Sequence, residues 1–158
     1  GPQARGRGTG SRVLLQGDVE MLAVGDRLIE LGAPINAVST NRDFLRPGVL
    51  RPPMAQRHNL TVLSEAIQNE HDGTQAPRVA WALKHGADVN RDCPRGAPLY
   101  EAVIRDRWKA VQLLLENGAD PGTQYKDESI LDIAYRFEKN GNRTPKTREL
   151  IEAALKNR

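Results

Sequence analysis

The chain has 158 residues, of which 39% are hydrophobic and 4% aromatic, and its formal net charge is +3. This length corresponds to about one domain, no apolar run approaches the roughly 20 residues of a membrane-spanning helix, and the start lacks the apolar segment of a secretory signal. The single cysteine, Cys93, excludes an internal disulfide and a cysteine-rich metal site. We therefore expect a protein of a reducing compartment, cytoplasmic or nuclear, without membrane association.

Residues 1–10 come first, and we expect a flexible tail there. Gly1-Pro2 resembles the remnant that a protease leaves when it removes a tag, so native sequence is expected to precede it. Both ends of the chain are basic, whereas residues 61–135 are net acidic. This distribution favours either a charged partner surface or ordinary solvated helix faces.

The first predicted unit covers residues 11–36. Residues 17–31 are typical of one long helix, and Gly32 suits the left-handed conformation that often follows a helix end. The residues before this helix make a poor first helix, so the unit is degenerate.

An insertion follows over residues 37–60, where later units have only a few connecting residues. Its three prolines exclude a regular helix through its middle, and loops of this length are usually functional or disordered. Its basic and apolar side chains make it a candidate binding segment. The alternative is that its apolar side chains fold back over the degenerate first unit, and the two interpretations are compatible.

Three heptapeptides then share one pattern: Thr61–Ile67, Ala97–Val103 and Ser129–Tyr135. Each predicts a short helix with leucine and alanine on one face. A turn follows, then a second apolar helix that ends at glycine, and a short hairpin leads to the next unit. Gly86 and Gly118 end two such helices 32 residues apart, close to a known repeat period of about 33. The units are therefore placed at residues 61–90, 91–122 and 123–158.

The sequence pattern of these units resembles the ankyrin repeat. Residues 97–102, APLYEA, resemble the family's Thr-Pro-Leu-His-x-Ala motif, and residues 113–120, LLLENGAD, resemble its Leu-Leu-Leu-x-x-Gly-Ala-Asp motif. The resemblance implies an all-α ankyrin-repeat solenoid of about four stacked helix-turn-helix units, with the first and last as degenerate caps. The chain departs from the family where histidine is usual, since Ser64, Tyr100 and Asp132 stand there.

Five other positions bear on the fold. Asp106 stands where the family usually has glycine between two helices. Thr144-Pro145 predicts the start of the last helix, with Thr144 as the N-cap and Pro145 in the first turn. Trp81 and Trp108 are expected in the core rather than in a ligand cage.

Ankyrin repeats bind proteins through hairpin tips and inner helices, so the resemblance implies a non-catalytic interaction module without a small-molecule substrate. A partner protein or peptide with an acidic face suits the arginine-rich rim. The predicted partner-binding residues are Arg42, Phe44, Arg46, Arg51, Arg91, Arg95, Glu101, Arg105, Tyr125 and Lys126.

Two alternatives are nucleic-acid binding through the basic ends and a role as the regulatory domain of a larger enzyme. Nucleic-acid binding is disfavoured because aromatic residues are not interleaved with arginine and the middle is acidic. The sequence contains no phosphate-binding loop, and His58, His71 and His85 lack the spacing of metal ligands. Catalysis, a metal and a cofactor are therefore not expected.

Overall fold

The computed structural model describes residues 22–37, 61–70, 76–92, 96–141 and 143–158. Its contacts divide the chain into two compact parts, which differ from the predicted repeat units. We call them the N-terminal part, Gly1–Pro34, and the main part, Ile35–Arg158. The predicted tail, nearly all of the predicted insertion and eight residues named above lie outside the described part: Arg42, Phe44, Arg46, Arg51, His58, His71, Cys93 and Arg95.

The N-terminal part contains helix α1, described over residues 22–30, inside the span predicted to be helical. Gly32 follows it with a φ of +88°. Its N–H donates to the Ile29 carbonyl at 2.9 Å, and the N–H of Ala33 donates to the Leu28 carbonyl at 3.0 Å. This pair of bonds is a Schellman motif, which satisfies carbonyl groups that a helix end leaves unpaired.

The described residues of the main part form six helices and one hairpin. The helices are α2 (Val62–Asn69), α3 (Pro77–Lys84), α4 (Pro98–Ile104), α5 (Trp108–Glu116), α6 (Ile130–Lys139) and α7 (Lys146–Lys156). The hairpin consists of β1 (Gln124–Tyr125) and β2 (Glu128–Ser129), paired antiparallel. The structure is therefore mostly helical, as predicted for an all-α protein. Among the described helices, none is both long and apolar enough to cross a bilayer.

The six helices form two rows. Helices α2, α4 and α6 contact one another in chain order, and so do α3, α5 and α7, while each helix also packs against its chain neighbour in the other row. Both rows contribute to one core, whose fully buried members include Leu63, Leu99, Val111, Leu114 and Ile151. Burying one such aliphatic side chain contributes about 1.5–3 kcal/mol.

Alanine recurs at one position of the first row for a packing reason. Ala66, Ala102 and Ala134 are all buried, and a methyl group lets neighbouring helices approach closely. Leucine at a second shared position is buried in α2 and α4, but Leu131 of α6 is only half-buried. The last helix of the row therefore keeps the pattern while covering less of its apolar face.

Side-chain caps explain where several helices begin. The hydroxyl of Thr61 accepts from the N–H of Ser64 at 3.2 Å, and that of Ser129 accepts from the N–H of Asp132 at 3.1 Å. A cap of this kind contributes about 1 kcal/mol to helix stability.

Helix α3 takes its cap from a residue outside it. The buried carboxylate of Glu70 accepts from the N–H groups of Arg78 at 3.1 Å and Val79 at 3.3 Å. A negative charge is favourable at this end of a helix because the macrodipole is positive there. The contact also supplies hydrogen bonds to a carboxylate that is otherwise costly to bury.

Left-handed residues close α3, α4 and α5. Gly86 and Gly118 have φ of +84° and +92° and make the same pair of bonds as Gly32. Asp106 closes α4 in this way at a φ of +54°. This conformation costs a residue with a side chain about 1–2 kcal/mol, and aspartate visits it more often than most residues do. Asp106 thus takes the backbone conformation of the glycine that is usual at this position.

Asparagine side chains join successive turns. Asn36 donates to the Gly86 carbonyl at 3.3 Å and accepts from the N–H of Asp88 at 2.7 Å. Asn90 repeats both bonds on the next turn, with the Gly118 carbonyl and the N–H of Asp120, each at 3.0 Å. The two amides therefore hold Asn36 to the turn at Gly86, and Asn90 to the turn at Gly118.

The third turn has no asparagine at the matching position, which is Gly122. A Cβ there would lie 2.6 Å from a guanidinium nitrogen of Arg158. The same guanidinium pairs with the Asp120 carboxylate at 2.8 Å. An arginine from the end of α7 therefore lies across this turn.

The predicted N-cap role of Thr144 is wrong. Helix α7 begins at Lys146 after Pro145, and the hydroxyl and N–H of Thr144 donate to Asp106 instead. A tertiary partner 38 residues away therefore takes the hydroxyl that local sequence assigned to the helix.

Candidate interaction surface

The first turn of α4 and the end of β1 bring two tyrosines face to face. The ring centroids of Tyr100 and Tyr125 are 3.9 Å apart and their planes differ by 20°. Gly96 makes room for them, since a Cβ at this residue would lie 2.6 Å from Tyr100 Cδ1 and 3.0 Å from Tyr125 Cδ2. We call these two rings the tyrosine pair.

The hairpin turn beside the tyrosine pair contains two left-handed residues. Lys126 and Asp127 have φ of +48° and +65°, which suits a two-residue hairpin because such a turn matches the twist of its strands. Glycine or asparagine is the usual choice here, so lysine stands at an unfavourable position. Its ammonium lies 5.4 Å from the centroid of the Tyr125 ring, within the range of a cation–π interaction.

A bidentate ion pair holds the hairpin to α6. Arg136 donates from Nε at 3.0 Å and from Nη2 at 2.7 Å to the two carboxylate oxygens of Glu128. This geometry is the strongest that arginine makes with a carboxylate. Burial, and secondarily the neighbouring Tyr125 and Glu101, raise the pKa of Tyr100, while Arg136 opposes the rise.

Glu101 does not fit its predicted role as an exposed contact. The residue is 3% exposed, and its carboxylate accepts from Nε of Arg105 at 2.7 Å. The side chain of Arg105 is 33% exposed, and its terminal nitrogens have no partner in the part of the chain that the structure describes. Glu101 therefore orients Arg105 rather than meeting a partner itself.

Four of the ten predicted partner-binding residues come from α4, its C-cap and the hairpin, and three of them are at least partly exposed, whereas Glu101 is buried. Glu101 and Arg105 follow Tyr100 on α4, and Tyr125 and Lys126 come from the hairpin stacked on it. Arg91 is exposed on the preceding turn. The other five predicted residues lie outside the described residues. We call Tyr100, Arg105, Tyr125 and Lys126 the α4–hairpin surface.

The sequence marked Tyr100 as a substitute for the histidine of the ankyrin motif but not as half of a tyrosine pair. Nor did it single out Gly96, Glu128 or Arg136. A usable signal was present for Gly96, because a glycine just before a helix that begins with proline has no capping function of its own.

Cations also cover aromatic rings around α6 and α7. The guanidinium carbons of Arg136 and Arg143 lie 5.2 Å and 5.3 Å from the Phe137 centroid. Lys146 Nζ lies 4.2 Å from the ring of Trp108, which is half-buried and not part of the core cluster. The prediction that Trp108 is a core residue is therefore wrong.

An ion-pair network lies on the same two helices. The hydroxyl of Tyr135 donates to Glu152 at 2.5 Å, and Arg148 bridges Glu138 at 2.7 Å and Glu152 at 3.0 Å. The hydrogen bond from Tyr135 is the main cause that lowers the pKa of Glu152, and it raises the pKa of Tyr135. The network ties α6 to α7 through exposed and half-exposed side chains.

The described residues bring no three His, Cys, Asp or Glu side chains together in a way that would hold a metal ion. The α4–hairpin surface instead presents two stacked aromatic rings and two cations. Neither protein-family models nor curated protein sequences give a match to this chain.

Proposed function

We propose that the chain is an ankyrin-type repeat domain whose helix pairs stack as a solenoid. The support is recurrence at three levels. The heptapeptides recur in sequence, the Schellman closures recur at Gly32, Gly86 and Gly118, and the asparagine bridges recur at Asn36 and Asn90. A stacked unit contacts only its neighbours, and the contacts of each row in chain order agree with that rule.

We propose that this domain binds a partner protein or peptide through the α4–hairpin surface, without catalysis. The observation that supports this most is the tyrosine pair with Lys126 beside it, together with Arg105 at the C-terminal end of the helix that carries Tyr100. Tyrosine and arginine are the side chains that most often dominate binding energy at protein interfaces, and here both types are held in place by neighbours within the chain.

The mechanism is pre-organisation. The stack of Tyr100 on Tyr125 and the bond from Arg105 to Glu101 already fix these side chains. Ordering a flexible side chain on binding costs about 0.5–1.5 kcal/mol, and a surface ordered beforehand avoids most of that cost. The hairpin is itself anchored by the bidentate pair of Arg136 with Glu128.

Charge indicates an acidic partner. Arg105 and Lys126 are the cations of the α4–hairpin surface. Of the neighbouring carboxylates, Glu101 is buried against Nε of Arg105 and Glu128 pairs with Arg136, while Asp127 is exposed next to Lys126. A carboxylate of the partner can reach the terminal nitrogens of Arg105, while an apolar group covers the exposed part of the tyrosine pair. Such complementarity raises association rates and selects among partners.

The experiment is affinity capture from a native extract with two variants of equal charge. Arg105→Ala with Lys126→Ala removes both surface cations, whereas Lys84→Ala with Lys156→Ala removes two exposed cations from the other row of helices. Residues that dominate an interface contribute roughly 1–3 kcal/mol each, so we expect at least about tenfold lower recovery of the partner with the first variant only.

Equal recovery by both variants, with their folds intact by circular dichroism, would remove the α4–hairpin surface from the proposal. Capture that disappears after nuclease treatment and falls steeply with salt would instead assign the domain to nucleic-acid binding.

A further inference from the structure

One carboxylate joins three separate parts of the fold. Asp106, in the left-handed turn after α4, accepts from the N–H of Thr144 at 3.0 Å and from its hydroxyl at 3.2 Å and 3.4 Å. It also accepts from the hydroxyl of Thr147 at 2.8 Å. The α4–α5 turn, the α6–α7 loop and the first turn of α7 therefore meet at Asp106. We call these three residues the Asp106 clamp.

The loop before α7 contains a Thr-Pro pair, and both of its residues are at the surface. Thr144 and Pro145 are exposed and lie between helices rather than inside one. The neighbouring hydroxyl, that of Thr147, is buried and is followed by arginine. Only Thr144 thus combines an exposed hydroxyl-bearing residue, a following proline and a position outside regular structure within this loop.

We propose that Thr144 is phosphorylated by a kinase that requires proline directly after the acceptor residue, and that phosphorylation opens the Asp106 clamp. In the reaction the γ-phosphoryl group of ATP moves to Thr144 Oγ1. The Oγ1–phosphorus bond forms, the bond from phosphorus to the β,γ-bridging oxygen breaks, ADP leaves, and the hydroxyl proton goes to a carboxylate of the kinase.

The new phosphate conflicts with the contact that the hydroxyl makes now. Phosphorylation replaces a donor with a group that carries about −1.5 to −2 charge, and Oγ1 lies 3.2 Å from a carboxylate oxygen. The donated bond is lost and like charges face each other.

Cations near Thr144 soften this repulsion without cancelling it. Arg143 precedes it and Lys146 follows two residues later, but both already lie over aromatic rings, of Phe137 and Trp108. Attraction between solvated charges is weaker than a hydrogen bond to a charged group. The net expected result is a loop that leaves Asp106.

The first test is phosphorylation of the folded chain by a purified kinase of this class with ATP, mapped by mass spectrometry. We expect one phosphate on Thr144, and none on that residue in Pro145→Ala, which keeps the acceptor but lacks the following proline. Equal labelling of Thr144 in Pro145→Ala, or labelling confined to other residues, would overturn the site.

The second test measures amide hydrogen exchange of the modified and unmodified chains. The Thr144 amide, now bonded to Asp106, is expected to exchange about tenfold faster or more after phosphorylation. Asp106→Asn serves as the control, because asparagine tolerates the left-handed conformation and carries no charge to repel phosphate. Phosphorylation should therefore increase the exchange rate of the Thr144 amide much less in this variant. An unchanged Thr144 amide in the phosphorylated wild type would refute the opening.

Discussion

Two tyrosine rings border Gly96, and they decide what this residue position tolerates. The residue combines a φ of +104° with a Cβ direction that points into both rings. Gly118 has a similar φ of +92° but nothing within 4 Å of its Cβ direction. Substitutions at Gly96 and Gly118 therefore separate two contributions to the free energy of unfolding, the left-handed backbone conformation and the steric overlap with the rings.

We expect Gly96→Ala to destabilise the fold more than Gly118→Ala. Left-handed strain costs either variant about 1–2 kcal/mol, and overlap with the rings adds about 1–3 kcal/mol at residue 96 alone. Urea unfolding measures the difference, and NMR shifts of the Tyr125 ring report whether the tyrosine pair has moved. Equal destabilisation of the two variants would show that the rings yield without cost.

Glu152 gives a pH-dependent prediction. Its pKa is lowered, mainly by the hydrogen bond from Tyr135 and then by Arg148. A lowered pKa in the folded state means that the contribution to stability is complete above the ordinary glutamate pKa of about 4.3. It is lost as the pH falls through the lowered value.

The measurement is an NMR titration of the Glu152 carboxyl carbon. We expect Tyr135→Phe to raise its pKa toward the ordinary value, while Tyr125→Phe, outside the network, leaves it alone. An unchanged pKa in Tyr135→Phe would assign the shift to Arg148.

At the residue scale, the sequence shows which residues are unusual better than it shows which residues contact one another. Tyr100 was recognisable as a departure from the family's histidine, but its partner lies 25 residues ahead, and the stacking depends on the path of a hairpin turn. Trp108 was misassigned for a similar reason. A large aromatic residue at the start of a helix indicates burial, and only the three-dimensional position of Lys146 shows that a cation covers the ring instead.

At the scale of elements, the hairpin combines tight anchoring with an unfavourable turn residue. Left-handed conformations in residues with side chains often persist at functional sites because the surrounding structure over-determines them. Here the stacking of Tyr125 and the pair of Arg136 with Glu128 supply that support. Lys126 is thus held in the turn at some cost to stability.

We expect Lys126→Gly and Asp127→Gly each to stabilise the protein by about 0.5–1 kcal/mol, because glycine adopts the left-handed conformation without strain. Only Lys126→Gly should weaken partner capture, since it removes the cation beside Tyr125. Thermal unfolding and affinity capture measure the two effects. A similar loss of capture in both variants would mean that the shape of the turn matters and the lysine charge does not.

Elements were the most predictable level of the structure. The helical periodicity of the three heptapeptides located α2, α4 and α6, and terminal glycines located the ends of α3 and α5, because both signals are local. The cap of α3 by Glu70 and the capture of Thr144 by Asp106 were not predictable, since each depends on which residues tertiary packing brings together.

At the scale of the whole molecule, the asparagine bridges connect turns that are far apart in the sequence. The recurrence of Gly-Ala-x-x-Asn at residues 32–36 and 86–90 was visible in the sequence. That the amides reach turns 50 and 28 residues ahead was not. Side-chain bonds of this range stabilise the arrangement of units rather than any one helix.

We expect Asn90→Ala to cost about 1–3 kcal/mol, since it removes two hydrogen bonds of about 0.5–1.5 kcal/mol each. Asn117→Ala is the matched control, because among the described residues its side-chain amide bonds to the Leu113 carbonyl of its own helix alone, at 2.8 Å. Hydrogen exchange should show faster opening of the Asp120 amide in Asn90→Ala alone. The same exchange rate in both variants would rule out the coupling.

The bridge at Asn90 also makes the protein sensitive to chemical ageing. Its amide nitrogen faces the Gly118 carbonyl and its oxygen faces the N–H of Asp120, so both ends of the group are in use. Spontaneous hydrolysis of that amide would leave a carboxylate with an oxygen directed at another oxygen. A single deamidation, a mass change of about one dalton that leaves every helix intact, would thus loosen the joint between two units as the protein ages.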